Sequence, residues 1–312
     1  MLVKPPAHPG PLAAVAAACL VTTLTGCSPS STAAPAQQTV AVAGVTISAA
    51  ADLHDALPAA IRDTGTVRVA SDVPYAPFEM FVKEGQPELT GLDYDLGQAL
   101  GGKLGVKFAF TPQKFDGIVP AIQAGKYDVV MSAITDTKKR QQVLDFVDYS
   151  VSGSGILVAK GNPQKIGSLG DLCGKAVAVQ VATHQLDLLT AQQAKCPAPI
   201  SIQTFPKDSD AQLALRSGKV AAEVLTKPAA GWTAKTADGG SAFESVQDPA
   251  ADGGYDATPN GIGVSKRLPE LTDAIQKALQ ALIDDGTLKK ICAAYGVESI
   301  AVPKATRNAG AA

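Results

Sequence analysis

An apolar run, Val129-Val130-Met131, gives way to Ser132 and Thr135, and Arg140 follows five residues later in "MSAITDTKKR" (131–140). Hydroxyls at a strand end with a guanidinium close behind suit the capture of a small carboxylate. A planar guanidinium can donate two parallel hydrogen bonds to a carboxylate, where an ammonium acts as a point charge. Taken alone, Lys138, Lys139 and Arg140 read first as the solvated face of a short helix. Acid–base chemistry has fewer candidates: Asp72, Glu79 and His184 could move a proton, but no nucleophile–base pair accompanies them. The histidines at 8, 54 and 184 and the five cysteines have no metal-ligand spacing. Neither a metal nor another cofactor is expected.

The 312 residues, 46% hydrophobic, suffice for one large domain or two moderate ones. With 27 basic against 29 acidic residues and no long like-charge block, a nucleic-acid partner is not expected. Residues 1–27 stand apart. Lys4 precedes "PLAAVAAACLVTTLTG" (11–26), which is uncharged, Ala-rich and too short for a membrane span of about 20 residues; it fits a secretory signal. "LTGC" (24–27) resembles the lipobox of bacterial lipoproteins, which makes Cys27 the expected lipidation site. The uncharged, Ser/Ala/Pro-rich stretch that follows reads as a flexible tether, and residues 28–63 are assigned to it. Cys173, Cys196 and Cys292 then remain in a disulfide-permissive compartment. Cys173 and Cys196 lie one strand–helix unit apart, and a bond between them is preferred to free thiols. Cys292 shares helical spacing with Leu288, Ile291 and Tyr295 and reads as a small core residue.

The elements that must position these groups follow from hydrophobic period. Strands are expected at 66–71, 106–110 and 127–134, with helices at 91–105 (Leu92, Leu96, Leu100 and Leu104 on one face) and 115–125. This β-α-β-α-β order implies a parallel sheet. A second α/β series has strands at 155–160, 175–181, 200–205 and 220–225, with helices at 183–195, 209–218 and 228–236. A strand at 261–266 and helices at 269–285 and 287–295 have no α/β partners nearby in sequence, so the chain is expected to return to its first half. Two lobes result: 64–153 with 256–300, and 154–255, crossed by two segments near 151–157 and 248–258. Residues 301–312 are expected to be a tail. In such sheets ligands bind beyond the carboxyl ends of the strands, where Ser132 and Val181 fall.

"SDVPYAPFE" (71–79), "GLDYDLGQAL" (91–100), "FDGIVPAIQAGKYDVVMSAIT" (115–135), "KKRQQVLDFVDYS" (138–150) and "DDGTLKKI" (284–291) together resemble the extracellular solute-binding proteins of family 3, the polar amino-acid-binding proteins of ABC importers. The match runs from about 64 to 297. It implies an α/β, periplasmic-binding-protein-like fold of two Rossmann-like lobes on a two-strand hinge. It further implies a small amino acid or related carboxylate as ligand, an ABC permease as partner, and a monomer anchored by lipid on the extracytoplasmic face of the cell membrane. By position, Arg140 corresponds to the residue that grips the ligand carboxylate. Ser132 and Thr135 match strand-end hydroxyls, and Ala133 a backbone carbonyl acceptor for an ammonium. Thr183 and His184 match an anion-binding helix N-terminus, Tyr75 and Phe115 aromatic walls, and Asp72 and Gln180 readers of the side chain.

The resemblance breaks where the family usually places an aspartate opposite the ligand ammonium: here stands Thr226, followed by Lys227. Ala221 replaces a usual acidic residue, and Ala182 the glycine of the anion-binding turn. A buried ammonium without a carboxylate is costly, so Asp72 or Glu223 compensates or the ligand lacks an α-ammonium. Two other functions fit the same fold: a dehydratase-like enzyme acting on small carboxylates, and a ligand sensor for a membrane signalling protein.

Overall fold

The computed structural model describes residues 39–83 and 85–311; the signal segment and Cys27 lie outside the described residues. Thr39–Val42 (β1) and Val45–Ser48 (β2) form an antiparallel hairpin, so the expected tether does not extend to residue 63. Ala43 and Gly44 both take positive φ, 47° and 74°, as a two-residue hairpin turn requires. Val42 and Ile47 are buried. Helices Ala51–Asp55 (α1) and Ala59–Thr64 (α2) follow, and Leu53, Leu57 and Ile61 join the main core. Apolar side chains at alternate strand positions and on two short helices therefore order a stretch whose composition suggests a linker.

Strand Thr66–Ser71 (β3) opens the first lobe, followed by the short strands Met80–Phe81 (β4) and Leu89–Thr90 (β5) and helix Leu92–Leu104 (α3). Strand Lys107–Pro112 (β6), helix Phe115–Gln123 (α4), strand Val129–Val130 (β7) and the single turn Lys138–Gln141 (α5) complete it. Leu92, Leu96, Leu100 and Leu104 are fully buried, packed in one core with Leu271, Ile275 and Leu279. Burying each such side chain contributes about 1.5–3 kcal/mol. Strand Leu144–Ala159 (β8) carries the chain across to the second lobe. That lobe holds Ala176–Gln180 (β9), His184–Gln193 (α6), Ser201–Phe205 (β10), Asp208–Arg216 (α7), Ala222–Thr226 (β11), Lys227–Thr236 (α8) and Phe243–Ser245 (β12). Strand Tyr255–Ser265 (β13) returns to the first lobe, where Pro269–Asp284 (α9), Thr287–Ala294 (α10) and Ala301–Arg307 (β14) follow.

The strand order is β10-β9-β11-β8-β13-β7-β3-β6, with β12 and β14 also pairing with β8. Within each lobe the neighbours β3–β6, β3–β7, β9–β10 and β9–β11 are parallel. The long strands β8 and β13 run antiparallel and belong to both lobes, so the sheet continues through the hinge. At the crossing, register shifts fall between Tyr255 and Thr258 and between Asn260 and Gly261. There Gly153 and Gly254 approach so closely that a Cβ on Gly153 would overlap the Gly254 backbone.

The expected tail is instead a strand: β14 pairs with β8, with Thr306 opposite Asp148 and Arg307 opposite Val147. Of its side chains only Ala305 is buried, while Ala301 and Val302 are partly buried against the main core. Cys173 and Cys196 form a disulfide with a Cα–Cα distance of 5.4 Å. Closing a loop of this length stabilises by roughly 3 kcal/mol on a chain-entropy model. Cys292 is free and buried.

Candidate functional site

The carboxyl ends of β3, β7, β9 and β11 and the first turn of α6 converge on one cavity between the lobes. All eleven residues singled out in the sequence line it: Asp72, Tyr75, Phe115, Ser132, Ala133, Thr135, Arg140, Gln180, Thr183, His184 and Thr226. Gln185 lines it too. Sequence reasoning misses it, because successive residues of a helix point about 100° apart and no pattern singles out Gln185. The cavity is narrow, about 20 Å³, so an amino acid enters only if the lobes separate.

Each wall is fixed by a buried bond. The Ser71 hydroxyl donates to the Met131 carbonyl at 2.7 Å. The Ser132 hydroxyl accepts from the Asp72 N–H at 2.9 Å and donates to Glu79 Oε1 at 2.7 Å. Ser132 thus ties the end of β7 to the turn after β3 and to Glu79 while it lines the cavity. Ala133 has a φ of 45°, an unfavourable conformation for a residue with a Cβ. Asp93 on α3 holds it there by accepting the Ala133 N–H at 2.7 Å. Thr137 caps α5 by accepting the Arg140 N–H, and Thr183 caps α6 by accepting the Leu186 N–H. The remaining first-turn N–H groups of α6 have no partner within the helix and suit an anion. His184 Nε2 lies 2.9 Å from Asp256 Oδ2 on β13.

Four hydrogen bonds, between three residue pairs, cross directly between the lobes. Arg140 donates to the Thr135 carbonyl at 2.7 Å in its own lobe and to the Ala182 carbonyl at 2.9 Å in the other. Its guanidinium sits 5.6 Å from the Phe115 ring centroid. Burial lowers the Arg140 pKa to about 10, which leaves it charged at neutral pH. Gln180 donates to Asp72 Oδ2 at 2.6 Å. Thr226 N–H donates to the Tyr75 hydroxyl at 3.0 Å, leaving the phenol proton for Thr226 Oγ1. Ala182, with φ of 62°, keeps the left-handed turn without the usual glycine. The cavity lining therefore carries one guanidinium and one carboxylate, Arg140 and Asp72, together with the His184 imidazole and hydroxyl, amide and backbone groups.

Glu79 and Glu223 do not line the cavity. Glu79, which reads in the sequence as a proton-moving acid, is fully buried. Burial, with Asp93 beside it, pushes its carboxyl well up; Asp93 rises to about 6, chiefly by burial. Glu223 forms a second buried pair with Asp208 behind Tyr75, and its carboxyl likewise rises by burial and by Asp208. Asp208 rises to about 6, again chiefly by burial. Folding therefore takes up protons, and the stability these groups contribute is complete below the ordinary aspartate value of 3.8. It is lost as pH rises through about 6. The midpoint of thermal unfolding should thus fall by several degrees between pH 5 and pH 7.5. Glu223→Gln should flatten that slope and raise the midpoint at pH 7.5; calorimetry across this range checks both.

Comparison with known proteins places this geometry in a class. Residues 67–298 match the model of bacterial extracellular solute-binding proteins, family 3. The chain belongs to this family. It is 30% identical over 262 residues to the arginine-binding protein ArgT of Corynebacterium glutamicum, covering 82% of this chain and 83% of that one. It is also 30% identical over 253 residues to the lysine/arginine/ornithine-binding periplasmic protein of Escherichia coli, covering 80% and 93%. Among solved structures, an ancestral amino acid-binding protein described as a precursor of cyclohexadienyl dehydratase aligns with a TM-score of 0.67 at 36% identity, over 76% of this chain and 97% of that one. The L-arginine-bound AbpA of Streptococcus pneumoniae aligns with a TM-score of 0.67 at 26% identity, over 78% and 99%.

Proposed function

We propose that this chain is the substrate-binding component of an ABC importer, capturing a small amino acid or related carboxylate between its lobes. The convergence of Arg140, the α6 N-terminus and Asp72 on one inter-lobe cavity carries this reading. Arg140 anchors the carboxylate, aided by Thr135 and the N–H groups at Thr183 and His184. Asp72, Gln180, the Ala133 carbonyl and the Thr226 hydroxyl face the remainder of the ligand, and Tyr75 and Phe115 form its walls. Ligand contacts made to both lobes exist together only when the lobes are closed, so binding shifts the population toward closure. Three of these similar proteins carry arginine in their names or titles, which makes arginine a candidate here. Deaminated analogues belong beside it, because Thr226 supplies a hydroxyl where a carboxylate would favour an α-ammonium. We also propose attachment through lipid at Cys27 on the extracytoplasmic face of the membrane, as a monomer that binds and does not transform its ligand.

A built-in reporter tests the reading. Trp232, the one tryptophan of the chain, lies on α8 in the second lobe, 6.3 Å from the ring of Tyr295 in the first. Tyr295 is fixed by donating to Asp95 and accepting from the Gly91 N–H. Titration with amino acids and their deaminated analogues should change Trp232 emission saturably for the true ligand and raise its melting midpoint. A panel in which no carboxylate changes either signal would defeat the proposal.

A further inference from the structure

We propose that the segment Thr306–Gly310 is a strap that positions Arg140, so that carboxylate binding depends on residues outside the family-matched range 67–298. The inference rests on the reading of Arg140 as the carboxylate anchor. Arg140 sits on α5, which is only 4 residues long; a single helical turn has no appreciable stability of its own. Something outside the turn must hold it, and the strap does so at both ends.

At the leading end, Asp136 lies between Thr135, whose carbonyl accepts from Arg140, and Thr137, which caps the turn. Asp136 is fully buried. Its carboxylate accepts the Gly310 N–H at 2.7 Å and the Gln141 side-chain amide at 2.9 Å. At the trailing end, that same Gln141 amide lies 3.2 Å from the Asn308 carbonyl and 3.0 Å from the Gly310 carbonyl. The strap is itself fastened to β8: Asn308 Oδ1 accepts the Phe146 N–H at 2.8 Å, and Asp148 accepts from the Thr306 hydroxyl at 2.9 Å and the Ala309 N–H at 3.2 Å. Gly310 is buried so tightly that a Cβ would overlap the Asp136 carbonyl. Strap, Asp136 and Gln141 thus form one polar clamp, and release of the strap frees α5 and the direction of its guanidinium.

Two variants test this: a chain ending at Arg307, which keeps β14, and Gly310→Ala. Lys304→Ser, at an exposed position of β14 outside the strap, is the control. Two readouts need no ligand: the nitrogen-15 signal of the Arg140 guanidinium, and amide hydrogen exchange over 136–143. The Arg140 signal should move toward that of free arginine and exchange over 136–143 should rise at least tenfold. The signal of Arg68, which pairs with Asp128, should stay in place. A role limited to general stability would leave the Arg140 signal unchanged under native conditions, and that result overturns the proposal. With L-arginine as probe, both variants should bind at least tenfold more weakly than the full chain. If L-arginine binds and neither Arg140 nor its affinity responds, the strap fails while the ligand reading stands. If no carboxylate binds the full chain but Arg140 responds, the clamp stands and the ligand reading fails.

Discussion

Replacing Arg140 with alanine should abolish ligand-induced thermal stabilisation while leaving the unliganded chain folded. The guanidinium makes two bonds to backbone carbonyls and one cation–π contact, and none of these belongs to the apolar cores. Removing one partner of an enclosed charge pair costs about 2–5 kcal/mol, which is on the order of a hundredfold in affinity or more. A ligand at a hundred times its dissociation constant adds about 2.7 kcal/mol of stability, so nearly all of that shift should vanish. Arg140→Lys should retain only a fraction of it, because an ammonium keeps the charge and loses the two-pronged geometry. Differential scanning calorimetry with and without the carboxylate found by screening decides the matter. An undiminished shift in Arg140→Ala would remove this residue from the site.

The second large effect belongs to the hinge. Gly153→Val should destabilise the protein by about 3 kcal/mol or more, because the added atoms have no route past the Gly254 backbone. At about 2–4 °C per kcal/mol for a domain of this size, the unfolding midpoint should drop by roughly 6–12 °C. Ligand affinity should fall as well, since β8 and β13 are the strands shared by both lobes. Gly231→Ala gives the contrast: it lies within α8, where an added methyl would meet nothing within 4 Å, and should be neutral or stabilise by about 0.5–1 kcal/mol. Equal stability of Gly153→Val and the native chain would mean that the two strands do not cross at these glycines.

Much of this architecture was legible because the period of the apolar residues reports directly on burial. The leucines of α3, and the strands ending at Ser71, Gln180 and Thr226, fall within a few residues of where that period puts them. The cavity residues were legible for a different reason: they stand at the carboxyl ends of strands, where position in sequence fixes position in space. What stayed hidden has physical causes. The β1–β2 hairpin is short and joins directly onto the uncharged Ser/Ala/Pro-rich stretch, so its signal is a weak alternation of valines and Ile47 around Ala43-Gly44. Strand β14 buries almost no apolar side chain, so hydrophobic period could not reveal it. The commitment of Ser132 to Glu79, and the pairing of Glu79 with Asp93 and of Asp208 with Glu223, join residues from separate elements. No local pattern encodes such pairs. In sequence Glu79 reads as a proton-moving acid and Glu223 as a partner for a ligand ammonium, because a carboxylate is rarely buried without a cation; here each is buried against another acid.

Cys292 gives the molecule an internal clock. Among the described residues it is the only unbonded thiol, wholly enclosed on α10 in the first lobe, and burial pushes its pKa to about 12. A thiol held protonated and out of reach reacts only when its surroundings come apart. The rate at which an alkylating reagent modifies the peptide containing Cys292 therefore counts unfolding events of the first lobe alone, while the second lobe stays stapled by its own disulfide. Comparing that rate with global melting would reveal whether the lobes unfold together or one after the other.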